Sequence, residues 1–182
     1  MIENFSQTFF PMKKYRKYTF YCCTFVFCVG LVWPAMYTNP VKGMKQSSFH
    51  PDSFWYYPWG KSVTHKGIDI FAGLNTGVTS VTNGLVVYSG TMSRGGKVVL
   101  VLGPKWRLHY YAHLNQSGVE TLEWVGAGET IGGVGNTGNA QGKPYHLHYS
   151  VVTLIPYFWR IDDSRQGWKK MFYLNPKDYF SV

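Results

Sequence analysis

Beyond residue 60 the chain sets short apolar runs between glycine-rich breaks. GIDIFA (67–72), GLVVYSG (84–90), GKVVLVLG (96–103) and HYYAHL (109–114) have this form, and HLHYSVVTLI (146–155) follows the break IGGVGNTGNAQG (131–142). Valine, isoleucine and tyrosine in short runs bounded by turn residues predict strands, so this region reads as all-β, a compact antiparallel sheet or sandwich. Alternation is clearest in Lys97 to Leu102 and His146 to Val152. No window past residue 60 carries the 3.6-residue period of a long amphipathic helix, and Ser164 to Phe172 forms at most a short terminal turn or helix.

The first 40 residues have a different pattern. Lys13, Lys14, Arg16 and Lys17 cluster, and Tyr18 to Pro40 then carries no charge. A bilayer-spanning helix needs roughly 20 apolar residues. Residues 18–38 therefore predict one N-terminal transmembrane helix, and the basic residues before it predict a cytoplasmic N-terminus at 1–17. A cleaved signal peptide shares the basic-then-apolar order, but its apolar region is shorter, about 7 to 15 residues. Residues 39–57 mix Pro, Ser, Lys and aromatics and read as a linker leading into the aromatic SFWYYPWG. The β domain proper spans 58–155, and 156–182 is a C-terminal extension packed on it.

Composition refines this division. A length of 182 residues suits one domain with an appendage, and 18% aromatics excludes an intrinsically disordered chain. Eighteen basic against nine acidic residues give +9; beyond residue 40, fourteen against eight still give +6. A basic domain suits an anionic polymer or surface, and a position outside the cytoplasm argues against nucleic acid. Cys22, Cys23 and Cys28 all lie in the apolar stretch, so the β domain has neither a disulfide framework nor thiol chemistry.

Six histidines remain to be explained. His65, His109, His113, His146 and His148, with Asp69, are the residue types that bind zinc through nitrogen and carboxylate oxygen. His146 and His148 share one face of a strand. His65 and Asp69 also share parity, but on an extended path they stand roughly 13 Å apart, so the chain must bend between them, and Gly67 makes that bend cheap. His109 should share the face of His113. The break GGVGNTGNAQGK lacks the order of a phosphate-binding loop and leads into a strand, so it reads as tight turns.

HKGIDI at 65–70, YAHL at 111–114 and HLHY at 146–149 closely resemble the zinc peptidases of the lysostaphin/LytM family, which cut peptide cross-links in bacterial peptidoglycan. The resemblance covers roughly residues 58–153. It implies a peptidase domain in which His65, Asp69 and His148 ligate Zn2+, and His113 and His146 are catalytic without being ligands. His109 matches none of the essential positions, and His50 is given no role. One departure is Ser150, where relatives often carry an acidic residue. Tyr57, Tyr111 and Asn136 are expected to line the substrate groove, and Trp55, Tyr56 and Trp59 are candidates to wall it beside Tyr57, with about half of these four aromatics in the core instead. The implied function is metalloendopeptidase cleavage of stem peptides or cross-bridges, in a single-pass inner-membrane protein whose C-terminal domain lies in the periplasm or outside, with a possible regulatory protein as partner. The alternative is a non-catalytic peptidoglycan-binding or hydrolase-regulating module.

Overall fold

The computed structural model describes residues 12–181. One α-helix, α1 (Met12–Val32), precedes ten strands: β1 (Ile68–Phe71), β2 (Gly77–Thr79), β3 (Gly84–Met92), β4 (Gly96–Gly103), β5 (Arg107–Leu114), β6 (Gln116–Ser117), β7 (Trp124–Val125), β8 (Thr130–Gly133), β9 (His146–Thr153) and β10 (Tyr173–Leu174). The main sheet runs β1-β9-β5-β4-β3-β7, with β10 also paired to β9; β2, β8 and β6 form a second, three-stranded sheet. Every pairing is antiparallel. The predicted mostly antiparallel β domain is therefore present, and Ser164 to Phe172 holds only the 3-10 turn Gly167–Met171.

One apolar cluster joins the two sheets. Val78 and Ile131 from the small sheet meet Val86, Val99, Val101, Leu147 and Val151 from the large one. Strands β4 and β9 follow different rules: Lys97 is exposed on β4, whereas β9 is buried or half-buried along its whole length. β9 has lost its alternation because it is paired by β1, β5 and β10, with core on one face and the site described below on the other.

Two expectations change. Residues 39–57, read as linker, send Val41, Met44 and Phe49 into the core, and Val41 bridges to Val78. The transmembrane helix at 18–38 is not supported: among the described residues no helix is long and apolar enough to cross a membrane. The helix stops at Val32 and begins within the basic cluster, leaving only Tyr18–Val32 uncharged. Fifteen residues rise about 22 Å against a hydrocarbon core of about 30 Å, and Cys22, Cys23 and two threonines dilute even that stretch. The helix instead leans on the domain at Trp106, whose indole N–H donates to the Phe27 carbonyl at 3.0 Å while the two rings stack.

Candidate metal centre and active site

Register carries the chemistry to one place. β1 lies beside β9 so that Asp69 stands opposite His148 and Phe71 opposite His146. On the other flank of β9, Ala112 of β5 stands opposite His148. Neighbouring strands thus offer Asp69, His148 and His146 on adjacent rungs, with His113 one residue beyond Ala112.

His65 lies outside the sheet and is clamped by the aromatic lead-in. Its backbone N–H donates to the Tyr56 carbonyl at 3.0 Å, and its carbonyl accepts from the Trp55 N–H at 2.6 Å. The Trp59 ring stacks on its imidazole at 4.1 Å, and its Nδ1–H donates to the Ser53 carbonyl at 2.9 Å. A carbonyl only accepts, so Nδ1 carries the proton and Nε2 is left as a lone pair. That lone pair is 3.1 Å from Asp69 Oδ1 and 3.1 Å from His148 Nδ1, which is itself 2.8 Å from the same carboxylate oxygen.

The donor set suits zinc. Two bonds of about 2.0–2.1 Å at a tetrahedral angle place ligand atoms about 3.3 Å apart, close to the 2.8–3.1 Å seen between His65, Asp69 and His148. Three protein ligands would leave a fourth position of zinc open, as catalytic sites do and structural sites do not. For His148 to ligate through Nδ1, its Nε2 must hold the proton, and Ser150 Oγ accepts it at 3.0 Å. The serine therefore does for His148 what a carboxylate could do, with less charge. Burial alone would raise the Asp69 carboxyl; the facing His148 and His65 imidazoles, when the nitrogens turned to it carry protons, outweigh burial and hold the group well below the usual carboxylate range.

Gly67 has a role other than the expected one. No positive φ is found there; instead the absent side chain allows close approach. A β-carbon at Gly67 would lie 2.4 Å from Ser150 Oγ, 2.5 Å from the Tyr149 carbonyl oxygen and 2.8 Å from His148 Cε1. Glycine at this position lets the His65–Asp69 segment lie against β9.

His113 and His146 sit beside these residues, 5.1 Å apart between ring centroids. Each Nδ1–H donates to a carbonyl: His113 to Thr137 at 2.9 Å, His146 to Pro144 at 2.7 Å. Both Nε2 atoms are left as acceptors. Burial, followed by the neighbouring His148, lowers the His113 pKa to about 4, which keeps the ring neutral near pH 7.

The expected shared face of His109 and His113 is corrected. Simple alternation on β5 would send His109, Tyr111 and His113 to one side. His109 and Tyr111 do point into the core, fully buried. His113 has φ +63°, and the pairing with β4 shifts register between Lys97 and Val99, so a bulge turns this imidazole to the opposite face. Its N–H donates to the Gly95 carbonyl at 2.7 Å, and Thr137 Oγ1 bridges the Leu114 carbonyl and the Lys97 N–H. Bulges and left-handed backbone at non-glycine positions concentrate at functional sites. His109 is a core residue: its Nδ1 meets the Tyr149 hydroxyl at 2.7 Å, and burial, then Arg107, lowers its pKa to about 3.

A cavity of about 450 Å3 opens over the cluster, lined by Asp69, His113, His146 and His148 together with Trp59, Phe71, Arg94, Tyr110, Asn139 and Lys143. Of the six expected groove residues, Trp59 lines it and Trp55, Tyr56, Tyr57, Tyr111 and Asn136 do not. Tyr111 is wholly buried, its hydroxyl accepting from the Val81 N–H at 2.8 Å. Its strand neighbour Tyr110 takes the groove position, because adjacent side chains on a strand face opposite ways. Tyr57 is exposed under the Arg165 guanidinium, while Trp59, from the same aromatic lead-in, faces the cavity as expected. Asn136 donates to the Lys143 carbonyl at 3.2 Å and so shapes the loop, while Asn139 lines the cavity. Arg94 was legible as the lone charge in the hairpin tip SRGG; Thr137 carried no comparable signal.

The family model that matches is Peptidase family M23, over residues 63–156. The glycyl-glycine endopeptidase ALE-1 of Staphylococcus capitis is 32% identical over 100 residues, covering 53% of this chain and 27% of that protein. The murein hydrolase activator NlpD of Salmonella dublin is 28% identical over 128 residues, 65% of this chain and 33% of that protein. The chain thus spans about a third or less of these relatives. The catalytic domain of lysostaphin from Staphylococcus simulans superposes with a TM-score of 0.55 at 24% identity, covering 70% of this chain and 87% of that domain, which shows the shared fold.

Proposed function

This chain belongs to peptidase family M23, and on that premise we propose that it is a zinc-dependent endopeptidase cleaving peptide cross-links of bacterial peptidoglycan. The observation that carries the reading is the convergence of two functionally distinct sets on one cavity. His65, Asp69 and His148 present three donor atoms to a common point, and His113 and His146 present proton-accepting Nε2 atoms beside it.

His65 Nε2, His148 Nδ1 and an Asp69 oxygen would hold the ion. Zinc bound there supplies Lewis-acid polarisation of the scissile carbonyl and acidifies water. The rest is done by the chain. Either imidazole, His113 or His146, can accept the proton of the attacking water through Nε2. Once protonated, it can stabilise the developing oxyanion or pass the proton to the leaving amine. The Thr137 and Pro144 carbonyls keep both rings in the required tautomer, and the Trp59 ring shields His65 from solvent. On this reading the domain works outside the cytoplasm, where that polymer lies.

A second reading follows from the similarity to NlpD, a murein hydrolase activator: a peptidoglycan-binding module that regulates another protein. The intact ligand set and the two poised imidazoles favour the enzyme. The deciding experiment incubates the zinc-loaded chain with defined peptidoglycan fragments, with and without chelator, and reads products by mass. Chelator-sensitive cleavage is expected, with about one zinc per chain; folded, zinc-loaded protein that cleaves nothing would leave the regulatory reading standing.

A further inference from the structure

Three loops meet at one end of the cavity, and each contributes a cation. The turn Gly60–Ser62 carries Lys61, the β3–β4 hairpin tip carries Arg94, and the glycine-rich loop before β9 carries Lys143. A second depression of about 500 Å3, lined by all three, shares Trp59, Ser62, Arg94, Asn139 and Lys143 with the cavity over the ligands, so the two are one continuous groove.

These cations are not neutralised by the protein. Among the described residues the ion pairs are His65–Asp69, His148–Asp69 and Lys170–Asp162, so none of the three has a carboxylate within 4.0 Å. The only acidic residue lining either depression is Asp69, already committed to His65 and His148. Like charges gathered without counter-charge repel one another and raise the local potential, the arrangement that attracts an anionic ligand.

The loops that hold two of them are tightly joined. The Asn139 N–H donates to the Arg94 carbonyl at 2.9 Å, and a β-carbon at Gly138 would lie 2.3 Å from that same carbonyl. The Lys143 N–H donates to the Ala140 carbonyl at 2.9 Å, and the Lys143 carbonyl accepts from Asn136. The backbones under Arg94 and Lys143 are therefore set relative to each other before a ligand arrives, which lowers the ordering cost of binding.

Resting on the endopeptidase reading, we infer that Lys61, Arg94 and Lys143 form a carboxylate-recognising subsite, so that the substrate is a peptide bearing free carboxylates near the scissile bond. Uncharged oligoglycine bridges offer nothing to these cations except a chain terminus. Acidic stem peptides, with carboxylates on side chains and α-carbons, offer the complementary charge. Arg94 supplies the planar fork that takes a carboxylate bidentately, and the two lysines supply point charges along the groove.

The test uses the zinc-loaded full chain and cross-linked stem-peptide dimers in two forms, with free carboxyls and with the same carboxyls amidated. Cleavage is read as kcat/KM by mass, and binding of the corresponding uncross-linked stem peptides is read by calorimetry. Discrimination of roughly tenfold or more in favour of the free acid is expected, shrinking as salt is raised. The variant Lys61→Gln/Arg94→Gln/Lys143→Gln, altered only at exposed positions, should bring the free-to-amidated ratio close to one, while Lys105→Gln should leave it where it was. Equal cleavage of both forms by the unaltered chain, or full discrimination surviving in the triple variant, overturns the subsite and leaves the peptidase reading intact. Preferential binding of the free acid with no cleavage of either form supports the subsite and overturns the peptidase.

Discussion

Replacing Gly67 by alanine tests the contact that brings the two halves of the proposed metal centre together. The added methyl would lie 2.5 Å from the Tyr149 carbonyl oxygen, where ordinary contact begins at 3.4 Å, so β1 and β9 must separate locally by about 0.9 Å. The Ser150 hydroxyl at 2.4 Å can rotate away, but the carbonyl belongs to the backbone of a strand paired on both flanks and cannot. Overpacking of this kind costs about 1–3 kcal/mol, which for a chain of this size lowers Tm by about 3–9 °C. The separation falls between Asp69 and His148, which face each other across the same two strands. Ligand geometry tolerates only about 0.2 Å of displacement, so zinc affinity should fall about 10- to 100-fold, the range seen when groups orienting a ligand are lost. Thermal unfolding with and without zinc, and competition against a chromogenic chelator, measure the two effects. Gly126→Ala is the control, since its methyl would meet nothing closer than 3.6 Å. A Gly67→Ala chain with unchanged Tm and zinc affinity within twofold would refute the close-approach argument.

Three further predictions concern individual histidines. His113→Ala should lower turnover of peptidoglycan fragments by about 10^2- to 10^4-fold while zinc content and Tm hold, because His113 lies outside the His65, Asp69 and His148 group; loss of zinc by that variant would reassign it. Ser150→Ala should weaken zinc binding about tenfold, since His148 Nε2 loses its acceptor; unchanged affinity in the chelator competition would show that Ser150 does not orient the ligand. His109 has its pKa lowered to about 3 in the folded chain, by burial first and Arg107 second. The unfolded chain therefore takes up this proton below about pH 6.5 and the folded chain does not, so stability falls as pH drops from 6.5 towards 3. At pH 5 the loss is about 2 kcal/mol. Urea denaturation at pH 7 and pH 5 should show His109→Gln losing that much less than the unaltered chain, and equal losses would remove His109 as the source.

How much was legible from residues alone varies by element. The three motifs HKGIDI, YAHL and HLHY carry the proposed ligands and bases in the text, because the side chains able to hold zinc or move protons are few in kind and their order along the chain survives folding. The short glycine-bounded runs likewise determined the β character, since strand preference is local. The uncharged N-terminal stretch misled because hydropathy was counted over 18–38, whereas hydrogen bonding ended the helix at Val32 and drew the basic cluster into its start.

Parity was the other limit. A period of two placed His113 on the face of His109; one bulge with φ +63° at His113 turns its imidazole to the opposite face. Whether a residue takes such a backbone depends on what holds it there, here the Gly95 carbonyl and Thr137, which are 18 and 24 positions away. Likewise Gly67 announces flexibility in the sequence, yet serves by leaving room for strand β9 some eighty residues later. Chemistry and element type were determined locally and are written in the sequence. Which face each group meets, and which loops bring Lys61, Arg94 and Lys143 to one groove, are set by contacts between distant segments, and those only the tertiary structure decides.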